Sequence, residues 1–130
     1  MDNLTVGIKG CQSEKVTPEN TARAVGSGDI EVYATPSMIA LMEKAAYTSV
    51  QNLVPDDCAT VGISVKIEHL AATPLGMTVS CESELVTVEG KKLTFEIVAR
   101  DEKDVIGKGI HERVIVNKTR FIEKISCKNT

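Results

Sequence analysis

Two polar residues stand where the pattern of this 130-residue chain asks for hydrophobes. When successive residues of the segment after Pro36 are set about 100° apart, as in a helix, Ser37, Lys44, Thr48, Gln51 and Asn52 gather in one polar arc. Glu43 does not join them: it falls on the stripe Ile39, Glu43, Ala46, Val50, where stripping a carboxylate of water is costly unless it is paired. The second is His69, which ends the alternating row Val61, Ile63, Val65, Ile67, read as the inward face of a strand. Each has a plain structural account, Glu43 as a helix-edge charge reaching water and His69 as a hydrogen-bonded histidine of the core. Together they favour an acid–base site, because a carboxylate and an imidazole between them can take and give a proton near neutral pH. Thr35, directly before Pro36, reads as a helix N-cap. Its hydroxyl also lies at the positive end of the helix, where it could face a substrate or an anionic intermediate, and the two roles are compatible.

Other chemistry is largely excluded. His111, Glu112 and Arg113 could hold an anionic ligand, although alternating strand residues of this kind more commonly form a solvated or dimer-facing edge. Lys91 and Lys92 read as solvated surface. No nucleophile elbow, phosphate-binding P-loop, zincin helix or calcium loop is present. Gly26-Ser27-Gly28 and Gly107-Lys108-Gly109 each lack the third glycine of a dinucleotide fingerprint. Cys11, Cys58, Cys81 and Cys127 form no close pair, so neither a zinc site nor a redox pair is expected. Lys and Arg total 15 against 18 Asp and Glu, and four aromatics make no stacking platform, which argues against nucleic acid. No apolar run approaches the roughly 20 residues of a membrane span. The opening MDNLTVGIKG lacks a signal peptide's apolar stretch, so the expected location is the cytoplasm.

The elements that must position these residues follow from period and punctuation. Thr35-Pro36 starts the one strong helix, expected over about 36–53 and stopped by Pro55-Asp56-Asp57. A weak opening strand is expected within 4–17 and a loop with a short helical turn over 18–33. Strands occupy most of 58–117: the row ending at His69, a second through Met77, Val79 and Cys81, a third through Leu93, Phe95, Ile97 and Ala99 after the Glu89-Gly90 turn, and a last from about Val105 to Asn117. The tail 118–130 is charged and expected to end loosely. Short connections imply antiparallel neighbours, and one apolar helix must cover the apolar face of their sheet. The fold class is therefore α+β, a single domain over 1–130 with an antiparallel sheet wrapped around one long helix.

Three segments, VYATPSMIALMEKAA (32–46), VGISVKIEHLAATPLGMTV (61–79) and GKGIHERVIV (107–116), resemble the hot-dog-fold thioesterases, and within them the fluoroacetyl-CoA thioesterase-like branch. The similarity covers roughly residues 20–118, and HLAATPLGMTV is its most specific piece. The resemblance implies a hot-dog fold and a homodimer with two active sites at the subunit interface, with tetramers left open. It places the catalytic Thr, Glu and His on Thr35, Glu43 and His69, and on Gly62 the glycine whose backbone helps hold the thioester carbonyl. In that branch a phenylalanine-rich lid precedes the helix, but AVGSGDIEVY (24–33) contains no Phe, so only general thioesterase chemistry is carried over. The expected reaction is hydrolysis of a small acyl-CoA to free acid and CoA, with no metal and no cofactor beyond the CoA of the substrate. Glu43 would act as base on a water or as direct nucleophile, with His69 orienting or protonating. Thr35, the Gly62 amide and the helix N-terminus would stabilise the oxyanion. Arg113 and Lys118 are the cations expected to meet the CoA phosphates. The alternatives are a non-catalytic acyl-CoA sensor, a hot-dog enoyl-CoA hydratase or dehydratase, and an unrelated α+β ligand-binding barrel.

Overall fold

The computed structural model describes residues 3–129. In chain order the elements are β1 (Lys9–Lys15), a 3-10 turn (Pro18–Asn20), α1 (Ala22–Val25), α2 (Thr35–Gln51), β2 (Cys58–His69), β3 (Thr78–Glu89), β4 (Lys92–Arg100), β5 (Val105–Asn117) and α3 (Lys118–Ser126), with a last 3-10 turn at Cys127–Asn129. All five strands form one antiparallel sheet in the order β1-β3-β4-β5-β2. The helix α2 touches every one of them, which is the hot-dog arrangement.

Strict alternation makes the core. Val79, Cys81 and Leu85 of β3 and Leu93, Phe95, Ile97 and Ala99 of β4 are buried on one face of the sheet. Against them α2 lays Met38, Leu41, Met42, Ala45, Ala46 and Val50. Each fully buried large side chain contributes about 1.5–3 kcal/mol, so this interface dominates the stability. The sheet's face approaches α2 most tightly at Gly10, where a Cβ would lie only 2.3 Å from the Ala45 carbonyl oxygen.

Three expectations are corrected. Thr35 is not the N-cap: Ala34 takes that place without a side-chain bond, Thr35 is already helical, and its hydroxyl goes elsewhere. The inward row of β2 is not continuous, because a bulge between Gly62 and Ser64 shifts the register against β5. Before the bulge Thr60 and Gly62 face inward with Ile115 and Arg113, leaving Val61 on the other side; after it Ile67 and His69 share the row of Gly109 and Gly107. Ile63, expected inside, is 52% exposed at this irregularity. The tail is helical over Lys118–Ser126, and its last residue, 130, lies outside the described residues. Asn117 caps α3 by accepting from the Arg120 amide, Lys118 donates its amide to the Asp57 carbonyl, and the spacing of Phe121, Ile122 and Ile125 is helical.

Candidate active site

The first turn of α2 and the last residue of β2 meet: Thr35 Oγ1 lies 2.7 Å from His69 Nδ1. Burial holds the His69 imidazole below its ordinary pKa, the Ala71 backbone opposing more weakly, so the ring is neutral at pH 7. Its other nitrogen, Nε2, is buried without a hydrogen-bond partner among the described residues. Such an atom is costly unless something outside the chain satisfies it.

Glu43 lies two turns further along α2, about 12 Å down the axis at 1.5 Å per residue. Side chains of a helix lean toward its N-terminus, which brings the carboxylate back toward Thr35. One cavity of about 830 Å³ joins them, lined by Thr35, Glu43 and His69 together with Ile39, Ala40 and the small wall residues Ala71 and Ala72. All three residues that the sequence singles out as out of pattern or at the helix start therefore share one concave space.

Beneath Glu43 the structure places two groups that the sequence reading assigned elsewhere. Arg113 is not a cation at the cavity mouth. It is buried, donating from Nε to Thr60 Oγ1 (2.8 Å) and from Nη2 to the Thr60 carbonyl (3.0 Å), with Nη1 3.6 Å from Glu43 Oε2. The face of Tyr47 covers the guanidinium at 5.8 Å. Beside it, His111 is 1% exposed, with Nε2 3.7 Å from Glu43 Oε2, and burial above all holds its pKa down, the Arg113 charge adding to the effect. The His111–Arg113 pair is thus neither a solvated edge nor an open anion site. Lys118 spends its ammonium on the Asp56 carbonyl at the start of α3.

Gly62 lies at the Glu43 end. A Cβ on it would stand 2.8 Å from Glu43 Oε2 and 3.1 Å from His111 Cε1, so only glycine leaves the carboxylate its place. Seven residues of strand separate Gly62 from His69, roughly 20 Å at about 3.3 Å each. Gly62 is not among the residues that line the cavity, whereas Thr35 lines it and pairs with His69 at the far end of β2. No cluster of potential metal ligands occurs among the described residues.

The inward placement of His111 and Arg113 beneath Glu43 was not legible, because both rows of IHERVIV are apolar in part: Ile110, Val114 and Val116 alternate with His111, Arg113 and Ile115. The usable signal was Glu43 itself, since a carboxylate in an apolar stripe requires a cation nearby.

Comparison with known proteins shows the family. The family described as fluoroacetyl-CoA-specific thioesterase, FlK, matches residues 16–119. The fluoroacetyl-CoA thioesterase of Streptantibioticus cattleyicolor is 32% identical over 98% of this chain and 96% of its own length. A crystal structure of a point mutant of that fluoroacetyl-CoA-specific enzyme superimposes with a TM-score of 0.91 at 32% identity, covering 98% of this chain and 99% of the other. A Thermus thermophilus thioesterase-superfamily member gives 0.92 at 28% identity, with coverage of 99% and 96%. The chain belongs to the fluoroacetyl-CoA-specific thioesterase family and, with it, to the thioester hydrolases of the hot-dog fold.

Proposed function

We propose that the cavity between Glu43 and the Thr35–His69 pair hydrolyses a small acyl-CoA to the free acid and CoA. The observation that carries this reading is the convergence of a hydroxyl–imidazole pair at a helix N-terminus and a cation-backed carboxylate on one cavity. A solved complex of the fluoroacetyl-CoA-specific enzyme with fluoroacetate and CoA, at a TM-score of 0.85 and 32% identity, supports an acyl-CoA as substrate.

In the reaction, Glu43, with Arg113 Nη1 3.6 Å from its Oε2, accepts a proton from a water that attacks the thioester carbonyl. About 12 Å of helix between Glu43 and Thr35 leaves room for that water and the carbonyl between the two ends. The Thr35–His69 pair and the positive end of α2 stabilise the developing oxyanion, His69 Nε2 being a buried polar atom at the cavity without a partner among the described residues. The C–S bond then breaks, and the proton taken from water passes to the departing CoA thiolate. The cavity wall carries the small side chains of Ala71 and Ala72, and the segment 24–33 contributes no Phe to it.

The same reading makes the functional unit a homodimer. β2 is an edge strand with exposed Ile63 and Val65, and an edge of this kind is a template for pairing with a second copy. Glu43 and Gly62 lie beside that edge, so a second copy would bring its own Gly62 region against the cavity. Among the described residues no helix is long and apolar enough to cross a membrane, and an acyl-CoA substrate supports the reading of a cytoplasmic enzyme.

Thiol release from short, branched and aromatic acyl-CoAs tests the proposal. Free CoA appearing with the carboxylic acid from at least one member is the expected result. Binding without thiol release, or water added across an enoyl-CoA with no thiol, would replace it by a sensor or a hydratase.

A further inference from the structure

The support beneath Glu43 is a bracket whose far end is backbone. The irregularity at Gly62–Ser64 presents the Ser64 carbonyl to His111, whose Nδ1 lies 2.9 Å away. A carbonyl only accepts, so Nδ1 carries the ring hydrogen and Nε2 keeps its lone pair. That lone pair points at Arg113 Nη1, 3.0 Å away and a donor only. Nη1 bears two hydrogens: one goes to His111 and the other is left for Glu43 Oε2. Two anchors on Thr60 fix one edge of the guanidinium and His111 fixes the other, so three points define its plane. The imidazole is itself held by stacking on Phe95, with ring centroids 6.3 Å apart. The opposite tautomer would set an Nε2 hydrogen against the hydrogens of Nη1 and tilt the guanidinium off Glu43.

We propose that His111 is a positioning residue for thioester hydrolysis: by accepting from Arg113 Nη1 it holds the guanidinium plane against Glu43 and thereby fixes where the carboxylate points. This rests on the reading of Glu43 as the base. Thr60, His111 and Arg113 are not among the residues lining the cavity, so loss of the bracket changes turnover rather than binding.

Two substitutions separate its two hydrogen bonds. His111→Asn keeps a donor for the Ser64 carbonyl but ends short of Arg113. His111→Gln extends an amide oxygen toward the place of Nε2. With an acyl-CoA that the wild type hydrolyses, His111→Asn is expected to lower kcat about tenfold or more with KM within about threefold, while His111→Gln recovers most of the loss. In a Glu43→Gln background His111→Asn should cost nothing further. Equal losses in the Asn and Gln variants, a change confined to KM, or additive losses in the double variant would overturn the proposal. Wild-type kcat in Glu43→Gln alone would instead overturn the reading beneath it. Melting curves identify a variant that fails to fold; Arg113→Lys then carries the test, keeping the charge but losing the three-point plane. It should show the same kcat-only loss, and wild-type kcat there would overturn the proposal.

Discussion

Thr35 Oγ1 and His69 Nδ1 lie 2.7 Å apart and tie the first turn of the central helix to the last residue of the edge strand β2, 34 positions later in the chain. The hydroxyl that a helix start would ordinarily spend on its own amides is spent on an imidazole, and Ala34 is left as a cap without a side-chain bond. If the pair serves the oxyanion, Thr35→Val should lower kcat about tenfold or more, while the loss of a cap, about 1 kcal/mol elsewhere, does not arise. Kinetics and a melting curve on the same preparation check this. A large drop in melting temperature with normal kcat would make the bond structural.

The two histidines give stability a pH dependence of definite sign. Burial holds both His69 and His111 below the ordinary imidazole pKa of about 6.5. Between the folded and unfolded pKa values the unfolded chain binds more protons, so stability rises with pH across that window. On acidification from pH 7 the melting temperature should therefore fall, and the histidine contribution should level off once both folded-state rings titrate. Replacing His111 by Gln should flatten the curve between about pH 7 and 5. A wild-type melting temperature that rises over this range would contradict the assignment of neutral, buried rings.

Gly62→Ala addresses the space beside Glu43. The new Cβ would meet the end of a flexible carboxylate at 2.8 Å, which moves at little cost in stability. The expected result is a loss of kcat of about tenfold or more, because misplacing a reacting group by about 1 Å is that costly. The melting temperature should shift by no more than a few degrees. Unchanged kcat would show that Glu43 is not required at the place it occupies.

At Gly10 the same substitution should act in reverse, on stability and not on chemistry. A Cβ there would meet the Ala45 carbonyl oxygen at 2.3 Å and Ser49 Cβ at 2.7 Å, and helix backbone cannot swing aside. Gly10→Ala should cost about 1–3 kcal/mol, read from denaturant unfolding. Gly28→Ala, whose Cβ would find only Ala22 Cβ at an ordinary 3.4 Å, is the control and should stay within about 0.5 kcal/mol.

The parts legible in the sequence were those where period and burial coincide. Leu93, Phe95, Ile97 and Ala99 alternate and are all buried, and the helix from Thr35 is continuous because its apolar stripe is. Glu43 and His69 stood out because they interrupt such rows. A bulge leaves no mark in periodicity, so the flip at Gly62–Ser64 was invisible, and with it the inward turn of Arg113 that pairs with Gly62 across the sheet. The α3 helix was hidden by its charge: its apolar residues are too few to announce a buried face, and the described part of the helix buries none of them. Thr35 was read as a cap because the rule that places Thr before Pro is local, whereas its partner His69 is set by tertiary contact.

Glu43 is the group on which the proposed hydrolysis depends most directly. Thiol release by wild type and Glu43→Gln should be measured side by side on the preferred acyl-CoA, with binding of that ligand determined for both. Amide for carboxylate keeps the shape and removes the proton acceptor, so kcat should fall by about 100-fold or more while binding and melting temperature stay close to wild type. Turnover within about threefold of wild type would contradict Glu43 as the base and, with it, the mechanism built on this cavity.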